Sequence, residues 1–180
     1  MKSFESYRLA LMEVSLKDSE EIHALHSYPE VDEFNTLGIP KDLNETRDYL
    51  LHLINARADN PRKQFFWKIV LKRHGEFIGV AGLTLSADRF KKGEIYYKIL
   101  PGYWGKGYAT EAAKLLVEIG FNNFELHRIE AGVATQNKRS IRVLEKIGMK
   151  REGLRRKILP IRGEWVDNYH YAILENEPGA

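Results

Sequence analysis

Cysteine is absent from this 180-residue chain, so disulfides, thiolate metal ligands and a cysteine nucleophile are all excluded. No apolar run is long enough to cross a bilayer, and Met1 to Glu5 is too polar to read as a signal peptide. A cytoplasmic protein with no membrane role and no metal is expected. Internal repeats, low-complexity tracts and linkers are also missing. One domain over residues 1–180 is expected, with its core from about Tyr7 to Leu174. Two phosphate-binding patterns are lacking as well. G-x-x-x-x-G-K-[ST] does not occur, and G-x-G-x-x-G fails because Thr110 stands at its third glycine.

What is present is organised around Glu94 to Phe121. Glu94 to Leu100 is β-branched and aromatic, and Pro101-Gly102 ends it as a strand. Ala109, Ala112, Ala113, Leu116 and Gly120 then recur at helical spacing, with Glu111, Lys114 and Glu118 opposite. Between strand and helix lies Trp104-Gly105-Lys106-Gly107-Tyr108-Ala109. A helix begins with N–H groups that have no partner within it, and they carry the positive end of its dipole. An anion can sit there. Gly102, Gly105 and Gly107 permit close backbone approach, and Lys106 adds charge. On these residues alone the turn reads equally as an anion cradle or as a tight strand-to-helix connection.

The rest of the chain alternates strand and helix signals. Tyr7 to Met12 reads as a strand. Asp18 to Glu21 reads as a capping box opening a short helix, with Ile22, Leu25 and His26 inward and an end before Pro29. A second helix runs from Asn44 to Asp59, and Val31 to Pro40 is a loop or short turn. Phe65–Lys72 and Phe77–Leu85 flank His74-Gly75 as a hairpin. Arg128 to Ala134 follows the central helix and should lie parallel to the Glu94 strand. Asn137 and Ser140 open a helix with Ile141, Leu144 and Ile147 inside and Gly148 at its end. Lys157 to Leu174 reads as a closing hairpin. The order β-α-α-β-β-β-α-β-α-β-β predicts an α/β or α+β mixed sheet.

Charge is unevenly spread. Residues 1–60 hold 6 Lys/Arg against 12 Asp/Glu, and residues 61–180 hold 22 against 13. Lys138 to Arg162 is the densest basic run, with 10 basic and 2 acidic residues. It fits nucleic-acid binding, a pocket for a phosphorylated cofactor, or a solvated face. The acidic N-terminal third and the lack of a recognition motif weigh against nucleic acid. Glu30, Asp32, Glu33, Asp42, Glu45 and Asp48 are expected to flank a groove, either as solvated surface or as an attraction for a cationic ligand.

Taken together, Y-W-G-K-G-Y-A-T-E-A, Asn137-x-x-Ser140-x-x-x-Leu144-Glu145-Lys146-x-Gly148-Met149 and Glu152-Gly153-Leu154-Arg155 resemble the GNAT superfamily of N-acetyltransferases. Within it they are similar to the RimJ/RimL branch, whose named members acetylate the N-termini of ribosomal proteins. The resemblance covers nearly the whole chain. It implies a mixed, mostly antiparallel sheet flanked by helices, acetyl-CoA as donor and an amine as acceptor. The family motif [QR]-x-x-G-x-[GA] falls on Trp104 to Ala109, with Trp104 in place of Gln or Arg. Cofactor contacts are therefore expected from Gly105, Lys106, Gly107, Tyr108, Ala109 and Thr110. Free backbone groups near Ile99 and Leu100 are expected to meet the pantetheine arm.

The resemblance also suggests catalytic roles. An alkyl ammonium has a pKa near ~10 and must lose its proton before it attacks. Glu94 matches a strand glutamate that serves as base in some members, directly or through water. His74, His127 and His170 are bases by type alone. Many members place a tyrosine acid where this chain has Leu144. Ser140 is the expected substitute, stabilising the departing thiolate by a hydrogen bond, and Asn137 is expected on the pantetheine or an ordered water. Direct attack in a ternary complex follows, because no cysteine is available for a thioester intermediate. The acceptor is a peptide N-terminus or a small cationic amine, on a monomer or homodimer. A CoA-binding regulatory module without turnover is the alternative.

Overall fold

The computed structural model describes residues 3–177. Among them one sheet is built from β1 (Phe4–Glu5), β2 (Leu9–Glu13), β3 (Gln64–Leu71), β4 (Glu76–Leu85), β5 (Lys92–Ile99), β6 (Arg128–Ala134), β7 (Lys150–Ile161) and β8 (Glu164–Leu174). The helices are α1 (Ser19–Ser27), α2 (Pro29–Asp32), α3 (Leu43–Asn55), α4 (Tyr108–Phe124) and α5 (Lys138–Lys146). In space the strands run β1-β2-β3-β4-β5-β6-β8-β7. Every neighbouring pair is antiparallel except β5 and β6, whose connection through α4 makes them parallel. The sheet is therefore mixed and mostly antiparallel, as expected.

Each sheet face has its own core. Leu116, Ile119 and Leu144, from α4 and α5, pack with Ile95, Ile129 and Ile173 on one face. Ile22, Leu25 and Leu50, from α1 and α3, pack with Phe66, Phe77 and Val80 on the other. Strand β5 divides between them by its two-residue alternation. Ile95, Tyr97 and Ile99 turn to the first core, Tyr96 and Leu100 to the second. Glu94 and Lys98 share the second face.

Strands β5 and β6 pair only at Lys92–Arg128, Gly93–Ile129 and Glu94–Glu130. Beyond that point β5 follows β4 and β6 follows β8, and the two part. A register shift in the β3–β4 pair leaves Ile78 as an extra residue, and the Ile78 carbonyl accepts from the Leu100 N–H at 2.9 Å. Gly79 is needed beside it, because a Cβ there would lie 2.1 Å from the Lys98 carbonyl oxygen.

Three local expectations change. The capping box belongs to Ser15 and Asp18, one turn before the expected place. Asp18 accepts from the Ser15 N–H at 2.6 Å and from Lys68 at 2.6 Å, so its carboxylate is held away from the α1 helix start. The acid cap of α3 is Asp42, accepting from the N–H groups of Asn44 and Glu45. Strand β7 starts at Lys150 rather than Lys157. It is an exposed edge strand whose basic residues carry no apolar signal, and pairing with β8 makes it a strand.

Candidate active site

Helix α4 opens beside the point where the sheet parts. Gly105 and Gly107 adopt φ of 76° and 83°, a left-handed region that favours glycine. Gly107 is the residue before the helix, and the first bond within α4 runs from the Glu111 N–H to the Gly107 carbonyl at 3.0 Å. Among the described residues the N–H groups of Tyr108, Ala109 and Thr110 make no hydrogen bond. Gly105, Lys106 and Gly107 are exposed. The turn thus presents unpaired donors at the positive end of a 17-residue helix. The Lys106 ammonium folds back on the Gly102 carbonyl at 2.9 Å.

Two side chains brace this turn. Arg8 donates through Nη1 to the Lys106 carbonyl at 3.0 Å and through Nε to Glu111 at 2.6 Å, and it lies 4.3 Å over the Tyr108 ring. Glu111 also accepts from the Arg8 N–H at 2.6 Å and the Ser6 hydroxyl at 2.8 Å. Burial works against the Glu111 charge, but these donors outweigh it and hold the carboxyl below its usual range. Glu111 was legible only as the solvent-facing side of a helix.

The Trp104 indole N–H donates to the Ile99 carbonyl at 2.7 Å, and Arg139 stacks 4.2 Å over the Trp104 ring. The expectation for Leu100 changes here. Its N–H is bound to Ile78 and its carbonyl accepts from the Tyr103 N–H, so both are engaged, and the Ile99 carbonyl already accepts from Trp104. Because Leu100 points toward β4, alternation turns the backbone groups of Tyr97 and Ile99 toward the parted edge.

At that edge α5 contributes Asn137 and Ser140. Asn137 is the N-cap of α5, its side-chain oxygen accepting from the Ser140 N–H at 3.0 Å. The Ser140 hydroxyl lies 2.9 Å from the Tyr97 hydroxyl. Burial pushes the Tyr97 phenol up to about 12, with the Ser140 contact acting in the other direction. Tyr97 therefore stays protonated and can donate to Ser140, leaving the serine proton free to point into the gap. Leu144 is buried in the core, and the tyrosine near Ser140 comes instead from β5. The sequence offered Tyr97 only as an apolar strand residue. Asn168 was also missed. Its side-chain oxygen accepts from the Val133 N–H at 2.7 Å, reaching over Gly132, where a Cβ would sit 2.8 Å from the Asn168 amide nitrogen.

Glu94 stands exposed on the other face, its Cα opposite Thr84 and beside Glu130. Three residues separate it from Tyr97, roughly 10 Å along a strand. Its carboxylate has no hydrogen-bond or ion-pair partner among the described residues. His74 lies exposed in the β3–β4 turn, and exposed His127 lies 3.0 Å from Glu175. His170 is buried 3.6 Å from Glu130, whose charge is opposed by burial but sustained by Arg128 and Lys92, so that its pKa falls to about 2.

Of the six acidic residues expected to flank a groove, Glu30 and Asp48 stand exposed and the other four have partners. Asp32 binds Arg162 and Glu33 binds Arg139, each at 3.3 Å. Asp42 caps α3, and Glu45 accepts from the Lys41 N–H at 2.6 Å. On the Glu94 face of β5 stands a cation, Lys98, which donates to the Asn35 side-chain oxygen at 3.1 Å.

A sheet parted beside an open helix N-terminus is the ground plan of an acyl-CoA N-acyltransferase. The acetyltransferase (GNAT) domain family matches residues 8–150. YnaD of Bacillus subtilis, named an uncharacterized N-acetyltransferase, is 34% identical over 172 residues, covering 94% of this chain and 95% of its own. The crystal structure of a GNAT-family acetyltransferase from Bacillus anthracis matches with a TM-score of 0.84 at 32% identity, over 98% of this chain and all of that one. Mycobacterium smegmatis RimJ in complex with CoA-disulfide shares the fold at a TM-score of 0.88 and 21% identity, over 97% and 88% of the two chains. This chain belongs to the GNAT family and is an N-acetyltransferase of that type.

Proposed function

We propose that the chain moves the acetyl group of acetyl-CoA to a primary amine by direct attack within a ternary complex, and that a peptide N-terminus, as on a ribosomal protein, is the kind of amine it takes. The observation that carries this is the alignment of two devices on one edge. The unpaired N–H groups at Tyr108, Ala109 and Thr110 suit a pyrophosphate. The Tyr97–Ser140 hydroxyl pair lies on the same edge, where the thioester would follow.

In this reading Gly105 to Thr110 hold the phosphates, with Arg8 bracing the turn. The Tyr97 and Ile99 backbone and Asn137 flank the pantetheine arm. Ser140, oriented by Tyr97, donates to the sulfur as negative charge develops there. Glu94 takes the amine proton through water, since it is free but lies a few residues from the hydroxyl pair. Its removal leaves the nitrogen lone pair to attack the acetyl carbonyl.

The test is an amine panel with acetyl-CoA, read as released thiol. Thiol release that depends on both acetyl-CoA and a peptide amine is expected. Tight CoA binding with no turnover on any amine would identify a cofactor-binding module instead.

A further inference from the structure

The face of β5 that looks toward α1 and α2 carries a cation as well as Glu94. Lys98 alternates with Glu94 and Tyr96 on that face, beyond the point where β6 has left. Its ammonium has three donors, and among the described residues only Asn35 accepts from one of them. Burial lowers its pKa to about 8, with Asp32 offsetting part of that. Asp32 is itself bound to Arg162, which also donates to the Pro29 carbonyl at 3.0 Å. Two cations thus share Asp32, while Glu94, the exposed carboxylate on the same strand face, lies on the other side of Tyr96.

A second polar group stands near it unused. His26 is 8% exposed, and its Nε2 is buried without a hydrogen-bond partner among the described residues. Burial and the nearby charges of Lys98 and His23 hold its pKa at about 3, so it is neutral. A neutral imidazole can donate one N–H. A buried imidazole nitrogen without a partner is costly in either tautomer, and the spare donors of Lys98 call for an acceptor.

We propose that the acceptor amine carries a carboxylate, and that Lys98 binds it, with His26 as a second donor. This rests on the acetyltransferase reading above and names its substrate class: an amino acid, or a peptide N-terminus with an acidic side chain close by. Glu94 and Lys98 are four residues apart on one strand face, roughly 13 Å. The acceptor's ammonium would then lie toward Glu94 and its carboxylate toward Lys98. The arrangement disfavours a polyamine, which has positive charge throughout.

Matched acceptors test this. Alanine is compared with alaninamide, Ala-Glu-Ala-amide with Ala-Gln-Ala-amide, and spermidine serves as the cationic member. Each is measured for kcat/KM with saturating acetyl-CoA and, separately, for binding by calorimetry in the presence of CoA. The carboxylate member of at least one pair should be favoured about tenfold or more, as for a hydrogen bond to a charged group. Which pair responds separates a free amino acid from a peptide.

Lys98→Met should erase that preference while leaving acetyl-CoA affinity unchanged. It removes a buried charge, and Asp32 keeps Arg162, so the fold should persist. Equal rates and equal binding within both pairs would overturn the proposal, as would a preference unchanged in Lys98→Met or spermidine as best acceptor. Lys98-dependent binding of the carboxylate members with no thiol release would uphold the ligand site and overturn the acetyltransferase reading alone.

Discussion

Arg8→Ala tests whether the phosphate turn is held from outside. The substitution deletes three contacts: the 2.6 Å ion pair to Glu111, the 3.0 Å bond to the Lys106 carbonyl, and the 4.3 Å stack on Tyr108. It leaves the Arg8 backbone N–H and the Ser6 hydroxyl on Glu111. The ion pair is partly exposed, at 38% for the Arg8 side chain, so it contributes only about 0.5–1 kcal/mol. The bond to the carbonyl adds about 1 kcal/mol, and the ring contact about 0.5–1 kcal/mol. A total near 2–3 kcal/mol should lower Tm by roughly 5–10 °C in a domain of this size. About two-thirds of it acts directly on Lys106 and Tyr108. If roughly half of the total goes into keeping the N–H groups aimed, CoA affinity should fall about five- to tenfold. Calorimetric Kd for CoA and a thermal scan measure the two effects separately, and kcat at saturating acetyl-CoA should not change. Ser6→Ala is the control, since it loosens Glu111 but spares the bond to Lys106. A lower Tm for Arg8→Ala with an unaltered Kd would refute the brace and leave Arg8 as an anchor for β2.

Gly107→Val forces a β-branched residue into φ near 83° and should weaken CoA binding tenfold or more while the sheet stays folded; an unchanged Kd would put the pyrophosphate elsewhere. Ser140→Ala should slow kcat by up to about 10²-fold with a smaller effect on acetyl-CoA KM, and Tyr97→Phe should reproduce part of that loss. Unaltered single-turnover rates in both variants would reduce Ser140 to a residue of the first turn of α5. Acid should destabilise the fold through Glu130, Asp18 and Glu111. Burial opposes each charge, but hydrogen bonds and nearby cations overcome it and lower each pKa. A carboxylate lowered on folding stabilises above its unfolded pKa, and that contribution is lost as pH falls through the folded value. Tm should therefore drop between about pH 5 and pH 2, and Glu130→Gln should flatten that slope; an equal slope would refute Glu130's share.

The sequence by itself determined the order of the elements from β2 onward apart from the short α2, the parallel relation of β5 and β6, and the glycine turn before α4. All of these are local signals. Strand alternation, helical spacing, a helix forced between two strands and glycines at positive φ are each written within a few consecutive residues. It also marked Asn137 and Ser140 as the opening of a helix. Tertiary structure decided what meets across the sheet. Tyr97 and Ser140 are 43 residues apart and Arg8 and Glu111 103 apart, so no local pattern joins them. β7 was underestimated because an exposed edge strand needs only a partner, not an apolar stripe. The charge around Glu94 and Lys98 was beyond local patterns for a related reason. Composition counts carboxylates, but only folding shows that Asp32 and Glu33 are ion-paired, that Asp42 and Glu45 bond backbone N–H groups and keep their charge, and that Lys98 keeps donors to spare. Net charge is a property of the chain, whereas the field at a site depends on which charges the fold has already paired.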